Sequence, residues 1–337
     1  MTMALTSIGD MSQTLFLRRQ NVETKQQITT LSAELSTGLK ADVPKAVGND
    51  FSLLSGLERG ISLAQTYVRA ANEARVTTET MQGSLDLFQQ EVEGLSSSLL
   101  AVSASGLQSN AGTMATTGRN TLDAMVSALN TSVAGRFLFA GQATDTAPVI
   151  DADQMLNAIR PLAQAQTTAQ DVINVVDAWF ADGADFTTTA YNGTAAPSAG
   201  FLVGDRDMIA LNITADRPEI RDALAAAVKV ALLNDLSLPN GPADAEMVMK
   251  NATDELLEGA TQITYLRGEL GQTEEAIEIA ETRANAQLSA LQISRSDLLS
   301  ADPFETATAL EDATTRLESL YTITARLSRL SLTDFLR

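Results

Sequence analysis

Three sets of closely spaced carboxylates are the side chains best placed by type to do chemistry: Asp151 with Asp153, Asp205 with Asp207, and Glu274 with Glu275 and Glu278. Two carboxylates can act as acid and base on a glycoside or hold a Mg or Ca ion. They would work without the usual partners, because the 337 residues contain neither His nor Cys. That excludes thiolate nucleophiles, Ser-His-Asp triads and imidazole or thiolate metal sites. The Asp-x-Asp-x-Asp-Gly calcium loop and both glycine-rich phosphate loops, GxxxxGK[ST] and GxGxxG, are missing too. Each set has a plainer reading. Glu274 to Glu281 falls on the outer face of a long heptad helix, where acids are solvated, and Asp205 and Asp207 flank Arg206 in a turn, where ion pairing accounts for them. Gly135 and Gly141 bracket Phe137-Leu138-Phe139 and read as packing, and Trp179 sits on an apolar helical face and reads as core. Four Asn-x-Ser/Thr triplets, starting at Asn130, Asn192, Asn212 and Asn251, are expected by chance in a Ser/Thr-rich chain. The expectation is a protein that is not an enzyme, with no catalytic, cofactor-binding or metal-ligating residues.

Charge narrows the partners. The net charge is −19, which repels nucleic acid and anionic lipid. Aromatic residues are 4 %, few for lining a substrate pocket. No stretch reaches the ~18 apolar residues of a membrane span, and Met1 to Gln20 lacks the basic and apolar regions of a secretory signal. Residues 1–145 carry 10 bases and 13 acids, 146–245 carry 5 and 13, and 246–337 carry 8 and 16, so the acidity belongs to the middle and the end. Six of the eight prolines also fall in the middle, which is therefore built of short elements and turns.

The elements on either side are long. Met81, Leu85, Phe88, Val92, Leu95, Leu99 and Val102 step by four and three, and Leu57, Ile61, Ala64, Val68 and Ala71 repeat this one phase earlier, predicting one helix over 54–102. Leu256, Ile263, Leu270, Ile277, Ala284, Leu291 and Leu298 recur every seven residues, predicting a second. Both chain ends carry amphipathic stripes without Gly or Pro: Met11, Leu15, Val22, Ile28, Leu31 and Leu35 at one end, and Leu310, Leu317, Leu320, Ile323, Leu327 and Leu330 at the other. In the middle, 168–180 and 219–233 predict helices. Phe186 to Tyr191 and Met208 to Ile213 alternate like strands, with Asn192-Gly193 as a turn signal.

The fold class expected is mainly α: a long antiparallel helical bundle or coiled-coil rod formed by the N- and C-terminal parts, with a small inserted α+β outer domain. The expected parts are an N-terminal helix at 1–45, rod halves at 46–145 and 246–302, the insert at 146–245 and a C-terminal helix at 303–337. A seam without a partner leaves its side chains in water at about 25 cal/mol per Å². The two terminal stripes can bury theirs on each other and on neighbouring copies, and isolated terminal helices fray until they do. The candidate interface at the N-terminal end is Leu15, Val22, Ile28, Leu31 and Leu35. At the C-terminal end it is Leu317, Ile323, Leu327, Leu330, Phe335 and Leu336.

Leu35-Ser36-Thr37-Gly38-Leu39-Lys40 resembles the Leu-Ser-Ser/Thr-Gly-basic stretch that ends the first helix in the flagellin superfamily. Arg136-Phe137-Leu138-Phe139-Ala140-Gly141 is similar to the segment where the hook–filament junction proteins of that superfamily leave their helical core. Ser328 to Leu336 resembles their Ser-x-Leu-Ser-Leu-x-Asp/Asn-aromatic-Leu finish. The resemblance covers residues 1–145 and 246–337. It departs after Lys40, where Ala41 to Val47 keeps the family's proline, Pro44, and lacks its Asn and paired Asp residues.

The resemblance implies a non-catalytic adaptor that is exported unfolded through the flagellar channel, without a cleaved signal peptide, and forms an extracellular ring. The partners it implies are further copies of the chain, hook-associated protein 1, flagellin, the export apparatus and an export chaperone, and no cofactor. Flagellin itself is the close alternative, although its Asn-Gln-x-x-Gln-x-Val-Leu-type segment is replaced here by Ile323 to Ser328. A cytoplasmic coiled-coil scaffold and a carboxylate hydrolase of cell-wall glycan are the competing classes.

Overall fold

The computed structural model describes residues 8–48, 50–105, 111–236 and 239–335, with side chains over 12–48, 50–103, 111–236 and 239–326. The protein is mainly α. Four helices precede the middle: α1 (Ile8–Thr37), α2 (Val43–Ala46), α3 (Ser52–Ser105) and α4 (Ala111–Leu129). Then come α5 (Ala152–Gln164), α6 (Ala169–Phe180), α7 (Pro218–Ala231), α8 (Pro242–Leu299) and α9 (Pro303–Phe335). Two small antiparallel sheets pair β1 (Ser132–Val133) with β2 (Arg136–Phe137), and β3 (Phe201–Leu202) with β4 (Met208–Ile209). The chain divides into two compact units, Met1–Leu63 with Ala286–Arg337, and Ala64–Asn285.

In the second unit α3 supplies the expected seam: Met81, Leu85, Phe88, Val92, Leu95 and Leu99 are all buried. They share one core with Leu256, Ile263, Leu266 and Leu270 of α8 and with apolar side chains of α4 to α7. Polar bonds fix the register. Gln82 Nε2 donates to the Arg267 carbonyl at 2.9 Å, and Arg267 Nη1 lies 2.8 Å from both Gln89 Oε1 and Asp86 Oδ1.

α7 is buried almost all round. From Ile220 to Ala231 only Asp222 is left outside. Its sequence explains this: Pro218 presets the first turn, and Ala223 and Ala225–Ala227 keep the helix thin enough for neighbours on every side. The closest approach is at Gly118 of α4, where a Cβ would stand 2.8 Å from the Ala231 amide nitrogen.

One strand expectation fails and the other holds only in part. Phe186–Ala190 is a π-helical turn, and Tyr191 merely bridges to Val149. The Thr-rich alternation suits a strand, but packing decides. Phe186 lies 5.2 Å from Phe180 and 6.0 Å from Trp179, ring centre to ring centre, while Thr187 donates to Asp216. Of Met208 to Ile213, only Met208–Ile209 is strand. Asn192-Gly193 does not close a hairpin, since the Asn192 amide donates to the Pro148 carbonyl. Trp179 is core, as expected.

Gly118→Leu should therefore cost about 1–3 kcal/mol or more by overpacking. Gly94 in the exposed face of α3 has nothing within 4 Å of its would-be Cβ, so Gly94→Ala should gain about 0.5–1 kcal/mol. Urea unfolding followed by circular dichroism reads both signs, and equal effects at the two glycines would contradict the packing described.

Candidate functional site

The first unit is built on a corner where the two ends of the sequence meet. Gly38 ends α1 in the left-handed region, at φ 69°, and its amide donates to the Glu34 carbonyl at 2.8 Å. The Glu34 carboxylate then accepts from the Ala41 amide at 2.8 Å. This folds Leu39 back to bridge with Ser300: the Lys40 amide donates to the Leu299 carbonyl at 2.8 Å and the Ala301 amide to the Gly38 carbonyl at 2.9 Å. On the other side Asp302 starts α9, its carboxylate accepting from the Phe304 and Glu305 amides at 2.8 and 3.0 Å, with Pro303 at the first helical position. The Leu35–Lys40 motif is thus a helix stop joined to a helix start some 260 residues away.

From this corner α1 and α9 pack on each other. The sheltered side of α1 carries Leu17, Thr24, Ile28 and Leu31, and that of α9 carries Thr306, Leu310, Ala313, Leu317 and Leu320. The Lys25 ammonium sits 5.6 Å over the Tyr321 ring. Of the candidate interface residues, Ile28, Leu31 and Leu317 are half-buried in this pair, whereas Leu15, Val22, Leu35 and Ile323 are exposed, Leu15 at 61 %. The side chains of Leu327, Leu330 and Phe335, and all of Leu336, lie outside the described residues. Sequence reading missed Phe16, Phe304 and Tyr321, which are also exposed. The result is a helix pair that keeps large apolar side chains in water, chemically fit to bury surface against another protein.

The carboxylate sets singled out by spacing are scattered. Asp151 starts α5 without a side-chain cap bond and Asp153 is exposed in its first turn. Asp207 pairs with Arg283 at 2.8 Å and not with the adjacent Arg206. Glu275 and Glu278 are exposed on α8. Different carboxylates do converge: Asp177 of α6, Glu219 and Asp222 of α7, and Glu255 and Glu258 of α8 line a cavity of about 410 Å³. Beside it the fully buried Lys229 ammonium lies 2.5 Å from Asp177 Oδ1, 2.6 Å from both Glu255 oxygens and 2.9 Å from Asn251 Oδ1. Only the i, i+3 spacing of Glu219 with Asp222 and Glu255 with Glu258 could have hinted at it. Among the described residues, no three acidic groups are placed to hold a metal ion.

Asp222 is exposed on α7, but its side chain lines the cavity, and the partial loss of water there pushes its carboxyl up; the charges of Asp177, Glu219 and Glu258 add to this against Arg221. Burial also raises Glu255, against the pull of Lys229. A carboxyl raised in the folded state makes folding more favourable at acid pH, and that stability is lost as pH climbs through the folded value. Asp222→Asn removes a charge that folding disfavours. It should raise the melting temperature at pH 7 and leave it nearly unchanged at pH 4, in melting curves recorded at both. Gly38→Ala should cost about 1 kcal/mol, read as roughly fivefold faster hydrogen exchange at the Lys40 and Ala301 amides.

Residues 253–336 match the bacterial flagellin C-terminal helical region. This segment runs through α8 and α9. The fold is also that of a solved structure assigned as a flagellar hook-associated protein from Vibrio parahaemolyticus. The TM-score is 0.52 at 17 % identity, over 73 % of this chain and 96 % of that one. No curated protein matches the sequence.

Proposed function

We propose that this protein is a hook–filament junction protein, of the kind called hook-associated protein 3: an extracellular adaptor ring between hook-associated protein 1 and the flagellin filament. The observation that carries the reading is the α1–α9 pair, a flagellin-type C-terminal helix bound to the N-terminal one with Leu15, Val22 and Ile323 left in water. Such residues gain stability only when a further copy or a flagellar partner covers them. The wider interface extends to Leu35, Leu327, Leu330, Phe335 and Leu336. Export follows the flagellar route with a chaperone that shields these stripes, and no catalytic step is involved. The filament subunit is the second reading, because the flagellin match over 253–336 favours it equally.

Electron microscopy with an antibody to this chain separates the two. Label confined to the hook–filament boundary is expected; label along the filament makes the protein flagellin, and absence from flagella overturns both readings. Val22→Glu with Ile323→Glu should leave the helix content of the purified chain intact. Cells making only this variant should export it and shed their filaments into the medium.

A further inference from the structure

Below the β1–β2 hairpin the second unit holds a cavity of about 400 Å³ that the assembly reading leaves unused. Its walls are apolar side chains from α3, the hairpin and the 198–211 segment, among them Val76, Phe137, Phe201 and Leu211. Two features mark it as a receptor and not a packing fault. Ser198, on the wall, has a buried hydroxyl without a hydrogen-bond partner among the described residues. Arg136 at the mouth is half-exposed in a chain of net charge −19, and Glu73 meets it only loosely, at 3.7 Å.

The chain also carries a side chain of complementary chemistry. Phe304, in the first turn of α9, is 83 % exposed, the highest value among the exposed large apolar residues. The exposed Glu305 follows it. The other strongly exposed phenylalanine, Phe16, is followed closely by Arg18 and Arg19, which Arg136 would repel. We infer that the hairpin cavity receives Phe304 of a second copy of the chain, with Glu305 of that copy pairing with Arg136. This rests on the self-assembly reading above and names one of its contacts. The contact is heterologous, so it repeats from copy to copy and either closes a ring or runs on as a filament.

The absence of cysteine makes the test clean. Full-length chains bearing Thr308→Cys, one turn beyond Phe304, are mixed with chains bearing Ala199→Cys at the cavity, and a short bis-maleimide is added under conditions where sedimentation shows association. A cross-linked dimer is expected from this pair and not when Gln170→Cys, on the exposed face of α6, replaces Ala199→Cys. Phe304→Ala should weaken association about tenfold. Arg136→Glu should weaken it as well, and adding Glu305→Arg should restore it. Association without cross-linking above the Gln170 control, or a Phe304→Ala chain that associates normally, overturns the contact and leaves the assembly reading standing. A chain that does not associate at any concentration, nor on hook preparations, overturns both.

Discussion

A long helix with one apolar seam has no stability of its own in water; it needs a second seam running the other way, and here that seam comes from the far end of the sequence. Gln82 and Gln89 of α3 find their partners in α8 at separations of 185 and 175 residues. Everything else follows from this pairing. The intervening chain must return to where it left. The two outer helices, α1 and α9, meet at one corner although nothing local holds them. Helix propensity contributes little at such lengths, since burial of the seam supplies most of the stability.

The returning segment is more than a connection. α7 is enclosed by α4 and α6 and shares one core with α3 and α8. Enclosing a helix whose Lys229 is buried requires anions to accompany the ammonium, and Asp177 and Glu255 do so from both sides. A buried ammonium without partners would be strongly unfavourable, so the pair fixes how α6 and α8 sit on α7. The surplus of carboxylates around Lys229, with Asp222 and Glu255 raised by loss of water, is the strain this arrangement carries.

The seven-residue repeats made α3 and α8 legible because a period sustained over many turns has one structural solution. Ala-rich α7 was legible as a helix, but nothing local says that it is buried on all sides. The Phe186–Tyr191 segment was misread because alternation of Thr with aromatic residues is a local signal, while its π-helical turn is held by Phe180, Trp179 and Asp216, which lie elsewhere in the chain. At the ends, both stripes were visible and their phase was not. α1 has apolar residues on two sides, and only contact with α9 decides that Leu17 and Ile28 turn inward while Leu15 and Val22 stay out. The hairpin cavity draws on three separated segments and leaves no spacing to read, and the acidic cavity leaves only the i, i+3 pairs of Glu219 with Asp222 and Glu255 with Glu258.

Exposed apolar residues and a net charge of −19 serve opposite ends in one chain. Fields between copies fade over ~8 Å at physiological salt, so the charge discourages loose aggregation and hardly opposes a contact that is already well fitted. Where bases stand near exposed apolar residues, as Arg18 and Arg19 do beside Leu15 and Phe16, the repulsion is locally reversed for an acidic partner. Specificity then arises from position. An apolar side chain that meets a carboxylate-lined surface must strip water from the acids and so gains less than one that meets an apolar surface. This restricts which faces of two copies can come together.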